Sequence, residues 1–213
     1  ALSDIAEVIY SLTGLIMKFA PFGVFALIGW VVGSQDPEIL KSLVKVVIVV
    51  IAACILHAVV VYSLFIKFLA KLNPITFFKK IIDAQVLAFS TSSSSATLPL
   101  TMKVAEEKLG VSKGTANFVL PLGSTVNMDG TAIYLGICTV FVAGLTGVDL
   151  SFGDYTAVVL TATLASIGAA GVPGVALIMM SMVFASVGLP IEAIAIIAGV
   201  DRLLDMFRTT INV

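Results

Sequence analysis

Long apolar runs separated by very few charges are the feature that most limits how this chain can fold. Residues 7–33 and 39–70 are each longer than the roughly 20 residues that cross a bilayer as a helix. Charged residues make up only 12% of the chain and hydrophobic residues 59%, whereas a soluble domain carries about 25% charged residues. Because so little charge cannot coat a water-soluble surface, the sequence predicts a multi-pass protein of the inner or plasma membrane, in contact with the lipid bilayer.

Charge and cysteine usage exclude several other classes of protein. The net charge is −1 and basic residues form no cluster beyond short lysine pairs, so we expect no nucleic-acid partner. Cys54 and Cys138 lie far apart in apolar runs without metal-ligand spacing, and they are predicted to be small buried residues. The last residues, RTTINV, stop within a helical pattern, so we expect a longer protein with further N-terminal helices and a further chain end.

The serine run in TSSSSATLPL lies between two groups of lysines. Lysines occur at 67, 71, 79 and 80 before it and at 103, 108 and 113 after it. The positive-inside tendency places both groups on the cytoplasmic side of the membrane. With serines and a proline at its midpoint, the segment of about 76–108 is predicted to enter the membrane and return as a re-entrant hairpin.

A second segment repeats this pattern with the opposite orientation. Residues 151–188 have SIGAAGVPG at their midpoint, and their flanks contain no lysine or arginine, so this hairpin is predicted to enter from outside. Two such hairpins are typical of the inverted repeats of secondary transporters. The fold class predicted is an all-α membrane protein with a helix at 39–70, two oppositely oriented re-entrant helical hairpins, a broken helix at about 113–146 and a last helix at 190–213.

The segment PLGSTVNMDGTAIY places polar groups at membrane depth. Gly123 and Gly130 permit local unwinding, and Asn127 and Asp129 lie between them. An aspartate at the bilayer centre costs about 2.5–3.5 kcal/mol on insertion scales, so it needs a partner. A carboxylate beside an amide and freed carbonyls would suit a hard cation. The alternative is a protonated Asp129 that only hydrogen-bonds neighbouring helices.

The last segment carries a charged helical face. Asp201, Asp205, Arg208 and Asn212 follow i, i+4, i+7, i+11 spacing, while Arg202 is expected to point elsewhere, nearer the outer end. The planar guanidinium of arginine suits a carboxylate, and an aspartate one turn away suits an ammonium. Together they fit a zwitterion with an additional carboxylate. The alternative is an internal Asp205–Arg208 salt bridge that only holds helices together.

Four segments of the chain, TSSSSATLP, NMDGTAIY, ASIGAAGVPG and LDMFRTTIN, together carry a family resemblance. The sequence resembles the glutamate/aspartate transporter family, the dicarboxylate/amino acid:cation symporters, from about residue 7 to the end, which is roughly the C-terminal half of such a transporter. The resemblance implies sodium-driven symport of acidic amino acids, with Na+ as co-transported ion and no organic cofactor. It also implies a homotrimer with an elevator mechanism, in which residues 1–36 form a scaffold helix and residues 37–213 the transport domain.

The resemblance also implies roles for individual residues. Arg208 would hold the side-chain carboxylate of the substrate and Asp205 its amino group, with Asp201 behind them orienting the site. The rest of the substrate pocket would consist of Thr209, Asn212, Thr131, Ser93, Ser94 and Val172. One sodium ion would bind carbonyls of Gly123, Asn127 and Asn212, and a second those of Thr125, Ser166, Ile167 and Ala169. A third would bind the side chains of Asn127 and Asp129, with partners on a helix outside this chain.

Departures from the family pattern leave alternatives open. Many members carry a second arginine near the substrate, at positions that are Ser92 and Met206 here, or Phe207 in the adjacent register. Leu135 stands where animal members carry a glutamate linked to proton coupling, which favours sodium coupling over a proton-coupled glutamate/dicarboxylate symporter. A channel and an intramembrane protease are further alternatives. The protease would need a base near the serines, and His57 is predicted to be a packed or helix-bonding residue instead.

Overall fold

The computed structural model describes residues 37–213, together with a few isolated helical positions between residues 15 and 33. Within 37–213 the chain forms helices and the turns between them, without a β-strand. Backbone contacts divide the chain into two units, 1–42 and 43–213, and the second unit holds every residue of the candidate site described below. The scaffold helix predicted within residues 1–36 lies outside the described residues.

The first described helix is interrupted by a π-helical turn. Helix α1 covers Pro37–Leu56, the π-helical turn covers His57–Tyr62, and helix α2 covers Ser63–Phe68. The three parts form one helical run that is long and apolar enough to cross a membrane. Large apolar side chains remain exposed along it, among them Val44, Ile48, Ile55 and Val59. The sequence predicts this helix over 39–70 but gives no sign of the π-helical turn.

Two helices joined at the serine run form the first hairpin. Helix α3 covers Pro74–Thr91, and helix α4 covers Ser94–Leu109. Helix α3 begins where Pro74 follows Asn73, whose side chain accepts hydrogen bonds from two backbone N–H groups of the first turn. Helix α4 ends at Gly110, which adopts a φ of 75° that only glycine takes up easily.

Two of the four serines make the hairpin turn. Ser92 takes a left-handed conformation with a φ of 51°, and Ser93 follows with extended backbone. The Ser93 hydroxyl accepts a hydrogen bond from the N–H of Ala96 and so caps α4. Within α4, Pro99 lacks an N–H, so the carbonyl of Ser95 receives no helical hydrogen bond from it. The turn therefore places hydroxyls and a free carbonyl at the hairpin tip.

The broken helix consists of α5, Lys113–Val126, and α6, Asp129–Thr146. Asn127 and Met128 have non-helical backbone angles between them. The interruption leaves the first N–H groups of α6 free to bond with other elements. Residues 113–146 together are long and apolar enough to span a membrane.

The second hairpin comprises α7, Phe152–Ile167, and α8, Val175–Ser186. Ser151 and Asp154 form a capping box at the start of α7. The linker 168–174 between the two helices ends at Gly174, which has a φ of 77°. A side chain there would be strained, so the glycine is required by the backbone.

The last helix, α9, covers Ile194–Asn212 and follows a short 3₁₀ turn at Ile191–Ala193. It packs against α3, α6 and α8. The apolar core includes fully buried side chains of Tyr134, Leu135, Met180, Phe184, Ile197 and Leu204. Helix α9 also buries a polar face within this core, and that face defines the candidate site.

Replacing Gly130 by alanine should disturb the contact between α6 and α9. A Cβ at Gly130 would lie 2.7 Å from the Arg208 carbonyl oxygen and 2.9 Å from the Arg208 Cα, closer than real Cβ atoms approach backbone. We expect the variant to lose about 1–3 kcal/mol of unfolding free energy through overpacking, measured by thermal unfolding of the intact protein in detergent. The matched control is Gly136→Ala in the same helix, where a Cβ meets no atom within 4 Å. Equal melting temperatures of the Gly130→Ala and Gly136→Ala variants would contradict the close contact between Gly130 and the Arg208 backbone.

Candidate substrate and cation site

Helix α9 buries its charged face. Asp201, Asp205, Arg208, Thr209 and Asn212 are each at least nine-tenths buried, and the Arg208 side chain is only 1% exposed. The helical spacing predicted from the sequence therefore brings these side chains to one side of α9, facing protein. Charged groups so deeply buried must compensate one another.

Arg208 is held between two carboxylates and an aromatic ring. Its Nη2 lies 2.8 Å from Asp205 Oδ1 and 3.1 Å from Asp201 Oδ1. Its guanidinium carbon lies 3.9 Å from the centroid of the Tyr134 ring, a cation–π contact. The Tyr134 hydroxyl in turn donates to Asp201 Oδ1 at 2.7 Å. Tyr134 of α6 therefore contacts both Arg208 and Asp201 and connects these charged side chains of α9 to α6.

Two donors of the same guanidinium remain without a partner. Arg208 Nε and Nη1 are buried and make no hydrogen bond with the described residues. The hydroxyl of Ser92, at the first hairpin tip, is buried and unpartnered in the same way. An unsatisfied buried polar group costs about 1–3 kcal/mol, and such groups in a folded protein call for an explanation such as a missing ligand.

Asp205 connects α9 to the second hairpin. Its Oδ2 accepts a hydrogen bond from the N–H of Gly174 at 3.0 Å. Arg202 Nη1 lies 4.0 Å from the same oxygen, so the expectation that Arg202 points elsewhere is wrong. The reason is that residues three apart on a helix are neighbours and the arginine side chain is long. Arg202 thus supplies a second positive charge near Asp205, although Ser92 and Met206 are not arginine here.

Asn212 joins α9 to the start of α6. Its Oδ1 accepts from the N–H of Gly130 at 2.8 Å, and its Nδ2 lies 3.2 Å from the Thr131 hydroxyl. Its backbone carbonyl accepts from Asn127 Nδ2, also at 3.2 Å. The break in the α5–α6 helix exposes the N–H group that makes the first of these bonds. The predicted residues of α6 and α9 are therefore in direct contact.

The two hairpin tips touch each other. The Ser93 hydroxyl donates to the Gly171 carbonyl at 2.7 Å, and the Ser95 N–H donates to the same carbonyl at 3.1 Å. A Cβ on Gly171 would lie 2.7 Å from the Ser95 hydroxyl and 2.9 Å from the Ser124 carbonyl. Glycine is therefore the residue that permits this approach of two backbones.

A small cavity lies beneath these tips and has a volume of about 10 Å³. Six predicted substrate residues line it, namely Ser94, Thr131, Val172, Asp205, Thr209 and Asn212. Ser93 and Arg208 are not in its wall. A volume of this size holds about one water molecule. The candidate site is thus assembled but closed, and a larger ligand requires the tips to separate.

One of the predicted sets of cation ligands lines a single cavity. Gly123, Asn127 and Asn212 line one cavity of about 220 Å³. For the second set, the helices that carry Thr125 and Ser166, α5 and α7, pack against each other, and the Ser166 carbonyl accepts from the Ala169 N–H at 3.1 Å. The structure therefore brings the first set to one cavity, and the second set stays a prediction.

Asp129 has partners within this chain. Its Oδ2 lies 3.1 Å from His57 Nε2 and 3.0 Å from the Tyr62 hydroxyl. The sequence required a partner for Asp129 but indicated neither residue, and the further ligands of the third sodium ion on a helix outside this chain stay a prediction. His57 fits the expectation of a helix-bonding residue, because it joins the π-helical turn to α6.

Several site residues were not singled out from the sequence. Tyr134 lies within the quoted segment NMDGTAIY, and a phenol at membrane depth needs a hydrogen-bond acceptor, so a signal for it existed. Gly171 and Gly174 lie within GAAGVPG, where glycine indicates a turn but not its partner. The sequence contained no signal for Tyr62, because it follows His57 by five positions and residues five apart do not share a face of a regular α-helix.

Replacing Gly171 by alanine should separate the hairpin tips. We expect Ser94→Cys, placed in a background with Cys54→Ala and Cys138→Ala, to react several-fold faster with a water-soluble thiol reagent once Gly171→Ala is added. The reason is that Ser94 is buried beneath the tips in this closed arrangement. The control is Gly168→Ala, whose Cβ would meet only ordinary contacts at 3.8 Å. An unchanged reaction rate with Gly171→Ala would argue against the tip contact.

Comparison with known proteins identifies relatives of this chain. The profile of the sodium:dicarboxylate symporter family matches residues 1–213. An excitatory amino acid transporter of Caenorhabditis elegans is 43% identical over 209 residues, which are 97% of this chain and 42% of the worm protein. Excitatory amino acid transporter 1 is 44% identical in Mus musculus and 43% in Homo sapiens, again over 97% of this chain and over 38% and 39% of those proteins.

The chain spans about two fifths of the length of these curated relatives. The similarity covers both hairpins, the broken helix and the charged face of α9. The match to the family profile extends over every residue described above. The chain belongs to the sodium:dicarboxylate symporter family and is part of an integral membrane protein.

Proposed function

We propose that the intact protein is a secondary active symporter that carries L-aspartate, L-glutamate or both together with sodium ions. The observation that carries this proposal is the buried guanidinium of Arg208, which has two donors without a partner and Asp205 one turn away. Either free donor can make a charge-assisted hydrogen bond to a carboxylate oxygen. The relatives are named excitatory amino acid transporters, in keeping with this substrate class.

The charge balance of the site favours an acidic substrate taken up with cations. Asp201, Asp205, Arg202 and Arg208 carry two negative and two positive charges, so the cluster by itself is neutral. An acidic amino acid, with two carboxylates and one ammonium group, adds a net negative charge. Because an uncompensated charge is costly in a buried site, a bound cation would stabilise the loaded state. This is a physical reason for coupling the substrate to sodium.

The same geometry supports specific roles for the predicted residues. Arg208 would bind the side-chain carboxylate and Asp205 the ammonium group, with Thr131, Thr209 and Asn212 around them. Ser93, Ser94 and Val172 would contact the substrate from the hairpin tips. The cation ligands would be Gly123, Asn127, Asp129 and Asn212, together with the carbonyls of Thr125, Ser166, Ile167 and Ala169.

The closed cavity favours a gated carrier over an open pore. The linker 168–174 is held by two hydrogen bonds to the first hairpin and one to Asp205, so it could open without unfolding a helix. We propose that α3–α4 and α7–α8 are re-entrant hairpins of a mobile transport domain formed by residues 37–213. The scaffold would include residues 1–36, and the assembly would be a homotrimer working by an elevator mechanism.

The contacts of His57 disfavour an intramembrane protease. A serine nucleophile needs a base within hydrogen-bond reach. The His57 imidazole bonds to Asp129 instead, and the serine hydroxyls at the tip bond to backbone or remain unpartnered. The site is accordingly built for binding rather than for hydrolysis.

Uptake into liposomes tests the coupling ion. We expect the intact protein to accumulate radiolabelled L-aspartate under an inward sodium gradient and not under an inward proton gradient alone. The fully buried Leu135 carries no proton, which is the reason for the second half of the expectation. Uptake driven by protons alone would contradict sodium as the coupling ion. No uptake under either gradient would contradict L-aspartate as the substrate. Exchange with internal unlabelled aspartate separates a carrier from a channel.

Arg208→Cys tests the substrate class. We expect the affinity for L-aspartate to fall by about 10-fold to 100-fold, which corresponds to the loss of charged hydrogen bonds, and uptake of serine or alanine to appear. Competition binding to the purified intact protein gives the affinities. The control is Lys108→Gln, which removes an exposed ion pair with Asp83 away from the site. Undiminished aspartate binding without serine or alanine uptake would refute the assignment.

A further inference from the structure

The π-helical turn at His57–Tyr62 brings together two side chains that a regular helix would separate. An α-helix has 3.6 residues per turn, so residues five apart lie about 140° apart around the axis. A π-helical turn closes its hydrogen bonds between residues five apart, which places such residues on one side. The rings of His57 and Tyr62 accordingly meet edge to face, with centroids 4.8 Å apart.

Both side chains contact the same oxygen atom of Asp129. His57 Nε2 and the Tyr62 hydroxyl lie 3.1 Å and 3.0 Å from Oδ2. The other carboxylate oxygen, Oδ1, makes no hydrogen bond with any residue of the described part of the chain. The Asp129 side chain is 42% exposed, so the carboxylate is accessible to a ligand. The pair therefore occupies one oxygen and leaves the other for a ligand.

Tyr62 also reaches α9. Its hydroxyl lies 3.1 Å from the carbonyl oxygen of Ile211, the residue before Asn212. A phenol has one proton, so the carboxylate and the carbonyl share it or alternate as acceptors. Tyr62 is thus a physical link between Asp129 and the end of α9.

We infer that His57 and Tyr62 are positioning residues that orient the Asp129 carboxylate for sodium binding. They do not contact the ion or the amino acid; they act through Asp129. This inference rests on the proposed function, because it takes Asp129 as a cation ligand. Groups that orient a metal ligand usually change metal affinity by about 10-fold to 100-fold when they are removed.

The test compares Tyr62→Phe, His57→Ala and His57→Gln in the intact protein. Tyr62→Phe removes only a hydroxyl, and the glutamine amide can still donate a hydrogen bond. The matched control is Ser63→Ala, on the same helical run, whose hydroxyl bonds only to a carbonyl of its own helix. The first readout is the sodium concentration that gives half-maximal uptake of radiolabelled L-aspartate in liposomes. The second is the increase in melting temperature that sodium alone produces in the purified protein.

We expect Tyr62→Phe and His57→Ala each to raise the half-maximal sodium concentration by about 10-fold or more, with the maximal uptake rate at saturating sodium retained. His57→Gln should restore part of the affinity. The double variant should lose less than the product of the two single effects, because both residues act on one oxygen. The sodium-induced rise in melting temperature should shrink in the same order, while Ser63→Ala should match the wild type.

Other outcomes separate this inference from the proposed function. An unchanged sodium dependence of Tyr62→Phe, in a wild-type protein that does respond to sodium, would overturn the positioning role alone. A fall in maximal rate without a change in sodium affinity would indicate a structural role and would also overturn it. A wild-type protein without sodium-dependent uptake or stabilisation would overturn the proposed function itself. If His57→Ala does not fold, Tyr62→Phe decides the question.

Discussion

The burial of Arg208 between Asp201 and Asp205 is the interaction on which the arrangement of α6, α8 and α9 depends. A guanidinium removed from water must be compensated, and the two carboxylates supply that compensation at 3.1 Å and 2.8 Å. Each carboxylate is in turn fixed by a different element, Asp201 by Tyr134 of α6 and Asp205 by Gly174 before α8. One charge thereby holds three parts of the fold in register, which explains why this helix buries a polar face.

Most of the features predicted correctly from the sequence followed from helical periodicity and from the distribution of charged and polar residues. The spacing of Asp201, Asp205 and Arg208 places them on one face of a helix. In so apolar a chain, that charged face must contact protein. The serine run predicted a chain reversal, and the reversal occurs at Ser92 and Ser93. The interruption at Asn127 followed from the glycines and polar residues around it. These features depend on local sequence, which is why they could be predicted.

Contacts between distant segments could not be predicted in the same way. The bond from Ser93 to Gly171 joins residues 78 positions apart, and a glycine alone does not indicate which backbone approaches it. The π-helical turn has no glycine or proline in HAVVVY, so nothing in its sequence departs from an ordinary helix. The proximity of Arg202 to Asp205 could have been predicted, because residues three apart on a helix are neighbours. The prediction considered one helical face only, which does not include Arg202.

The hydrogen bond between Gly174 and Asp205 has a consequence for the step of the proposed transport cycle that occurs without bound substrate. In the proposed cycle the substrate's ammonium group binds Asp205, yet in this structure a backbone N–H already lies 3.0 Å from that carboxylate. The linker's own amide therefore holds the second hairpin against α9 through this carboxylate. In the proposed cycle, an arriving amino acid would replace this internal donor. Loaded and unloaded forms could then share one closed shape, which a carrier needs for its return.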